Sequence, residues 1–286
     1  MKITVVETGS LKLDGGAMFG IVPKQLWKHL NPPDERNQCT WAMRCLLVET
    51  EGRKILVDTG VGNKQDAKFR SHFGMAEDEG GVLEALRRLG HEPESITDVL
   101  LTHLHFDHAG GAVRYDEMGR LTPSFPNATY WSNEIHLNWA LFPNAREKAS
   151  FLPENLEPLK EAGVLKFIDI QKEDVEWLPG ISIRFVYGHT EAMMVPIFRH
   201  QERTLVFCAD VIPSSFHIGM PYIMAYDLRP LLTMEEKGRI LEDAIVGQHY
   251  LAFEHDPNTA CSTVRRSDNG RIEKGETAEI GLLFPG

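Results

Sequence analysis

The stretch THLHFDHAGG, residues 102–111, concentrates metal-ligand side chains within a few positions. An apolar run, DVLL at 98–101, comes directly before the motif and predicts a buried strand that ends where the motif begins. An H-x-H-x-D-H pattern in this position indicates a metal site rather than a polar loop with incidental histidines. Its ligand-type residues are His103, His105, Asp107 and His108.

The spacing within this motif indicates two groups of ligands. Side chains two residues apart on an extended backbone point the same way, so His103 and His105 are expected to converge on one ion. As the chain turns, Asp107 and His108 can face a second ion, and the glycines at 110–111 permit tight backbone geometry after the turn. Imidazole nitrogen and carboxylate oxygen suit zinc, and also manganese, iron or cobalt.

Further ligand-type residues follow apolar, strand-like runs later in the chain. His189 ends the run in VYGHT, Asp210 the run in VFCAD, and His255 the run in AFEHD. The ends of strands at one edge of a sheet are where a fold can bring side chains together. We therefore expect these three residues to complete the metal site.

Length and composition are typical of a soluble globular protein. The 286 residues, 42% hydrophobic and 25% charged, suit a single domain over residues 1–286. The formal net charge of −11 disfavours nucleic acid and anionic membranes as partners, because both are polyanions. No signal peptide and no membrane span is recognisable, so a cytoplasmic location is expected. The four cysteines form no C-x-x-C pair and are expected to be buried thiols.

Strand-like and helical runs mix along the chain, which predicts two sheets with helices outside them. The Pro- and charge-rich segment 143–179 is expected to be an irregular crossover between two halves, and SDNG at 267–270 a turn between two short extended runs. The strand-like runs lie at 3–7, 44–49, 54–57, 98–101, 181–186, 195–199, 204–208 and 250–253. The helical patterns lie at 79–89, 132–141 and 235–246.

The order of these motifs resembles the metallo-β-lactamase superfamily. That order is H-x-H-x-D-H, then Gly-His-Thr, then an Asp after a strand, then a last His, and LVDTG at 56–60 fits it as well. The resemblance spans roughly residues 40–256. It implies an α+β fold, the four-layer αββα sandwich, with the site along one edge of the sheets.

The resemblance also implies which residues hold two divalent ions. Asp58, in LVDTG, is expected to orient the metal loop without reacting. One ion would be held by His103, His105 and His189, the other by Asp107, His108 and His255, and Asp210 would bridge both. Two such ions can share a hydroxide that acts as the nucleophile, so the chain is expected to be a dinuclear hydrolase. Asp107 is expected to hold that hydroxide and pass a proton onward.

Four stretches are similar to the bacterial quorum-quenching lactonases within this superfamily: 13–27, 102–109, 125–128 and 224–227. The expected substrate is therefore a small molecule, a lactone of the N-acyl homoserine type or a related carboxylic ester. Met18 and Phe19 form an apolar loop tip between glycines and are predicted to line the pocket for an acyl chain.

The sequence departs from the lactonase pattern at two places. Glu191-Ala192-Met193 follows Gly-His-Thr where many relatives have Pro-Gly-His. No Tyr stands a few residues after Asp210, so another residue of the following loop is expected to contact the substrate carbonyl. The candidates for that catalytic role are His217 and Tyr226, and the further candidates for substrate binding are Tyr222 and Phe106.

Other functions remain open at this point. The same metals could serve a phosphodiester or phosphotriester hydrolase, because hydroxide and Lewis acid suit both reactions. Glyoxalase II shares the ligands but needs basic residues near the C-terminus, and a nuclease would bring basic surface. The number of candidate ligands argues against a non-catalytic scaffold stabilised by metal, because structural sites are normally closed around one metal ion. Met18, Phe19 and Trp27, if exposed, would make a homodimer plausible.

Overall fold

The computed structural model describes residues 1–75 and 80–286, which divide into two compact units. Unit 1 consists of Met1–Gly9, Met43–Ile170 and Phe284–Gly286, and unit 2 of Ser10–Ala42 and Gln171–Leu283. The expectation of one domain over residues 1–286 stays a prediction. No helix in these described ranges has the length and apolarity needed to cross a membrane.

Both units contain strands and helices. The strands are β1 (Lys2–Asp14), β2 (Gln38–Thr50), β3 (Arg53–Val57), β4 (Asp98–Leu100), β5 (Val113–Tyr115), β6 (Leu121–Pro123), β7 (Thr129–Ser132), β8 (Leu165–Phe167), β9 (Val175–Leu178), β10 (Ile181–Val186), β11 (Met193–His200), β12 (Arg203–Phe207), β13 (Tyr250–Ala252), β14 (Cys261–Arg266) and β15 (Ile272–Thr277). The α-helices are α1 (Gly15–Phe19), α2 (Lys24–Trp27), α3 (Ala67–His72), α4 (Gly81–Arg88), α5 (Phe106–Ala109), α6 (Glu134–Leu141), α7 (Pro153–Glu161), α8 (Pro230–Gly247) and α9 (Ile280–Leu283).

A six-stranded sheet in the order β1-β2-β3-β4-β7-β8 positions the H-x-H-x-D-H motif. Its strands β3 and β4 are parallel neighbours, with Val57 opposite Leu100. The carboxyl ends of parallel strands meet at the same edge of a sheet, so Asp58 and Thr102 emerge side by side there. The fully buried side chains of β3 and β4 at this edge explain why both strands read as continuous apolar runs.

A seven-stranded sheet in the order β15-β14-β13-β12-β11-β10-β9 carries the later ligand-type residues. Its only parallel pair is β12 with β13, in which Phe207 lies opposite Ala252. Asp210 and His255 therefore follow neighbouring strand ends at one edge of this sheet. His189 follows β10, which pairs antiparallel with β11.

Unit 2 has an aromatic core that includes the N-terminal stretch. Phe19 stacks on Trp27 with ring centroids 5.0 Å apart and lies 5.6 Å from Trp41. The side chains of Met18, Phe19 and Trp27 are all at most 1% exposed. The expected apolar loop tip is instead a short helix: Asp14 caps α1, which buries its apolar residues in the core. The argument for a dimer from these residues is lost with it.

The expected strands are confirmed, with shifted ends, whereas the irregular crossover at 143–179 is wrong in part. That segment contains α7, β8 and β9. Pro153 stands in the first turn of α7, where a missing N–H costs nothing, so the proline starts a helix rather than preventing one. The expected helix at 79–89 is observed as α4, and its proposed start, Glu79, lies outside the described residues. The turn at 267–270 joins β14 to β15, and all four cysteines are buried thiols.

We expect Phe19→Ala to lower the free energy of unfolding by about 3–5 kcal/mol, because it removes a fully buried ring from the aromatic core. Urea unfolding followed by tryptophan fluorescence measures the change. Ile21→Ala is the matched control: Ile21 is 90% exposed, and its replacement should change stability by only about 0.5 kcal/mol. Equal effects of the two substitutions would show that α1 does not contribute to the core.

Candidate metal centre

The carboxylate of Asp58 fixes the start of the metal motif in unit 1. One oxygen accepts the backbone N–H of Thr102 at 2.7 Å, and the other accepts the Thr102 hydroxyl at 2.6 Å. The second oxygen also lies 3.1 Å from Nδ1 of His108. The carboxylate therefore ties the end of β4 to the imidazole of α5, as expected for a residue that orients the loop.

The backbone of the motif is held against the loop after β3. Thr59 donates from both its backbone N–H and its hydroxyl to the carbonyl of His108, at 2.7 and 2.8 Å. A Cβ at Gly110 would lie 2.2 Å from the carbonyl oxygen of Val61, and one at Gly111 would lie 2.2 Å from that of Thr59. Close backbone approach is therefore the reason for this glycine pair.

Three imidazoles of the motif lie in contact. The ring centroid of His103 is 4.6 Å from that of His105 and 3.9 Å from that of His108. Asp107 and His108 lie in the single turn of α5, and both side chains are buried. The motif thus brings its four ligand-type side chains to one place at the carboxyl end of β4.

Two buried residues outside the motif support it and were not identified from the sequence. Nε2 of His136 accepts the backbone N–H of Leu104 at 2.9 Å. The Glu147 carboxylate lies 3.5 Å from Nε2 of His105 and accepts the indole N–H of Trp139 at 2.7 Å. Both side chains come from the segment after β7, too far along the chain for a local pattern to reveal them.

Asp210 faces two histidines in unit 2. One carboxylate oxygen lies 3.2 Å from Nε2 of His189, and the other lies 3.1 Å from Nε2 of His255. Nδ1 of His189 lies 2.8 Å from the carboxylate of Asp227, and Nδ1 of His255 lies 2.8 Å from the carbonyl oxygen of Ala42. The four titratable residues of this group, His189, Asp210, Asp227 and His255, are each at most 6% exposed.

This arrangement fits a bound cation. A neutral imidazole carries one N–H. Because the carbonyl oxygen of Ala42 can only accept, the N–H of His255 lies on Nδ1. The lone pair on Nε2 then faces an Asp210 oxygen, and two acceptors at that distance need a proton or a metal ion between them. The same holds for His189 with Nδ1 protonated towards Asp227. Buried imidazole and carboxylate groups of this chain fit a metal site.

The family comparison agrees with this chemistry. The sequence profile described as the metallo-beta-lactamase superfamily matches residues 44–254. The chain belongs to the metallo-β-lactamase superfamily. This membership confirms the expected metallo-β-lactamase fold of mixed helices and sheets. Together with the lactonase relatives, it shows that the chain is a metal-dependent hydrolase.

Individual relatives of this metallo-β-lactamase superfamily member are distant. An N-acyl homoserine lactonase of Bacillus cereus is 26% identical over 239 residues, which cover 79% of this chain and 85% of the relative. The crystal structure of a probable metal-dependent hydrolase from Staphylococcus aureus is 29% identical, with a TM-score of 0.83 over 97% of this chain and 98% of that one. AidC, a dizinc quorum-quenching lactonase in complex with a product, is 22% identical, with a TM-score of 0.76 over 97% and 94% of the two chains, a likeness that shows the fold alone.

His217 occupies a structural position in this superfamily member. Its Nε2 lies 2.9 Å from the carbonyl oxygen of Met18, which can only accept, so Nε2 carries the proton. Nδ1 accepts from the hydroxyl of Ser214 at 2.7 Å, and the ring stacks on Phe19 at 5.2 Å. Nε2 thus holds α1 and Nδ1 is engaged by Ser214, and the catalytic role of His217 stays an untested prediction.

The other substrate candidates lie in different surroundings. Tyr226 is 40% exposed, whereas Tyr222 is half-buried with its ring edge-on to Phe19, 6.2 Å between centroids. Met18 is buried in the aromatic core with Phe19. Phe106, in unit 1, is 8% exposed and belongs to α5. The structure therefore keeps Tyr226 accessible and places Met18 and Phe19 in packing contacts.

We expect His217 to make stability fall in mild acid. Burial lowers the pKa of His217 from 6.5 to about 4, so between these values the unfolded chain is protonated and the folded chain is not. The unfolding free energy should thus drop as the pH falls from about 6.5 towards about 4, by about 1.4 kcal/mol for each pH unit.

Urea unfolding of the wild type and of His217→Gln at several pH values measures this slope, because glutamine stays neutral throughout. The variant should have the shallower slope, and the same replacement at the exposed His29 is the matched control. Parallel slopes for the wild type and His217→Gln would contradict a buried, neutral imidazole.

Proposed function

We propose that this chain is a dinuclear hydrolase that opens lactones of the N-acyl homoserine type or cleaves related carboxylic esters. The observation that carries the dinuclear part is the Asp210 carboxylate, whose two oxygens each face a different imidazole nitrogen. One oxygen for each of two ions is the geometry of a bridging ligand. We propose zinc as the metal, because the donors are imidazole and carboxylate groups. A protein of the same fold, AidC, is a dizinc lactonase.

The proposed ligand set follows the family pattern. It also follows two buried groups of side chains, the H-x-H-x-D-H motif in unit 1 and Asp210 with its two histidines in unit 2. We propose that one ion takes His103, His105 and His189, that the other takes Asp107, His108 and His255, and that Asp210 bridges them. When bound, two divalent ions lower the pKa of water towards neutrality and polarise the carbonyl of the substrate. The protein residues then have to orient these donors and handle the protons.

Asp107 is the proposed proton-transfer residue. It is 8% exposed in the first turn of α5, and its Oδ2 lies 3.9 Å from Nε2 of His108. A carboxylate held in this way can accept a proton from the attacking water and return it to the leaving alkoxide. Asp58 cannot serve this purpose, because its oxygens already bind Thr102 and His108.

An aromatic cluster in unit 1 supports an apolar substrate group. The ring of Phe106 lies edge-on to Phe69 at 5.3 Å and 4.8 Å from Phe73. Phe69 and Phe73 are half-buried and come from α3 and its end. In the sequence Phe106 stands between the ligand candidates His105 and Asp107. An apolar substrate group packed on this cluster would therefore begin beside the reacting carbonyl. An acyl chain suits that position.

We expect the metal-loaded protein to release protons from a long-chain N-acyl homoserine lactone at constant pH, and to lose this activity when a chelator removes the metal. Asp107→Asn should lower kcat by roughly 100-fold to 10,000-fold at full metal loading, the usual contribution of a proton-transfer group. His105→Ala serves as the inactive reference.

Asp268→Asn, in the exposed turn after β14, is the matched control and should keep wild-type turnover. A normal rate for Asp107→Asn would remove the proposed role of that residue. No lactone or ester hydrolysis by the metal-loaded wild type would contradict the substrate class, and turnover of a phosphotriester in the same assay would replace it.

A further inference from the structure

His189 is the ligand candidate with the most elaborate surroundings in unit 2. Its Nδ1 lies 2.8 Å from Asp227, a residue that is 1% exposed and 38 positions away in the chain. In the neighbouring ligand candidate, His255, Nδ1 lies instead 2.8 Å from the neutral carbonyl oxygen of Ala42. A carboxylate behind an imidazole keeps the proton on Nδ1, fixes the ring orientation and makes Nε2 a stronger ligand.

The backbone around His189 is gripped by the segment that begins at Asp227. The backbone N–H of Leu228 donates to the carbonyl of His189 at 3.1 Å, and that of Arg229 donates to the carbonyl of Gly188 at 2.8 Å. A Cβ at Gly188 would lie 2.3 Å from the backbone nitrogen of Thr233, so only glycine permits this approach.

Two charged side chains extend the same grip. Glu236, on α8, accepts the backbone N–H groups of Tyr187 and Gly188 at 2.7 and 2.9 Å. Arg229 donates to the carbonyl of Tyr187 and to the carboxylate of Glu191, both at 2.6 Å. The turn after β10 is therefore held from both sides of His189.

We propose that Asp227 is the positioning residue for His189 and thereby for one of the two ions. Its carboxylate accepts the Nδ1 proton, aims Nε2 towards Asp210 and raises the affinity of His189 for the metal, while Leu228, Arg229 and Glu236 hold the backbone in register. The inference rests on the proposed metal-binding role of His189. Asp227 has no contact with substrate in this role and acts only through the histidine.

The test compares Asp227→Asn with the wild type by competition for zinc against a chromophoric chelator. Asparagine keeps the shape and one acceptor but removes the charge, so the affinity for one ion should fall about 10-fold to 100-fold while the other ion is retained. Turnover should recover in excess zinc. Asp243→Asn, an exposed partner of Arg184, is the matched control and should leave both affinities unchanged.

Urea unfolding of the metal-free proteins separates positioning from structural support. Equal stabilities with a lowered metal affinity support the proposal, and an unchanged affinity overturns it. Asp227→Glu retains the charge and should keep more of the affinity than Asp227→Asn does.

If the variants do not fold, nitrogen NMR of the metal-loaded wild type decides the matter, because the proposal requires His189 to be protonated at Nδ1, and protonation at Nε2 would overturn it. A wild type that binds no metal would instead refute the proposed function, and one that binds two ions with Asp227→Asn unaffected would refute only this inference.

Discussion

The buried carboxylate of Asp58 is the constraint on which the metal motif depends. A carboxylate taken out of water costs several kcal/mol unless its oxygens are satisfied, and here Thr102 and His108 satisfy them. These contacts require β3 and β4 to be parallel neighbours in one register. The orientation of the imidazole and the pairing of the two strands are therefore two consequences of the same interaction.

A similar principle applies to the histidines of both units. Asp58 lies behind His108 and Asp227 behind His189, and the carbonyl of Ala42 lies behind His255. Each contact occupies Nδ1 and leaves Nε2 as the atom available to a metal ion. Fixing the rings before a metal binds reduces the conformational entropy lost on binding. The proposed hydrolase thus depends on partners that are not themselves ligands.

The ligand candidates can be selected from the sequence because each follows an apolar strand. His103, His189, Asp210 and His255 all lie just after a strand end or in the loop that leaves it. The two residues behind the rings that the sequence did not reveal, Asp227 and Glu147, contact their histidines across 38 and 42 positions. No local pattern encodes such pairings, which arise only when loops pack.

The N-terminal stretch shows a different limit of sequence-based prediction. Met18 and Phe19 between glycines look like an apolar loop tip, yet Asp14 caps a short helix that turns both inward. Gly15 is needed there because a Cβ would lie 2.4 Å from the ring of Trp27. A glycine needed for backbone flexibility and a glycine needed for close packing cannot be told apart in the sequence. Only the tertiary contact distinguishes them.

We propose that this chain binds two metal ions, and the zinc content of the purified protein measures their number. The purified protein would be loaded with zinc, dialysed against metal-free buffer and analysed for zinc per folded chain. We expect two equivalents, with hydrolysis rising in proportion to the second. One equivalent or none in a folded, fully active protein would contradict it.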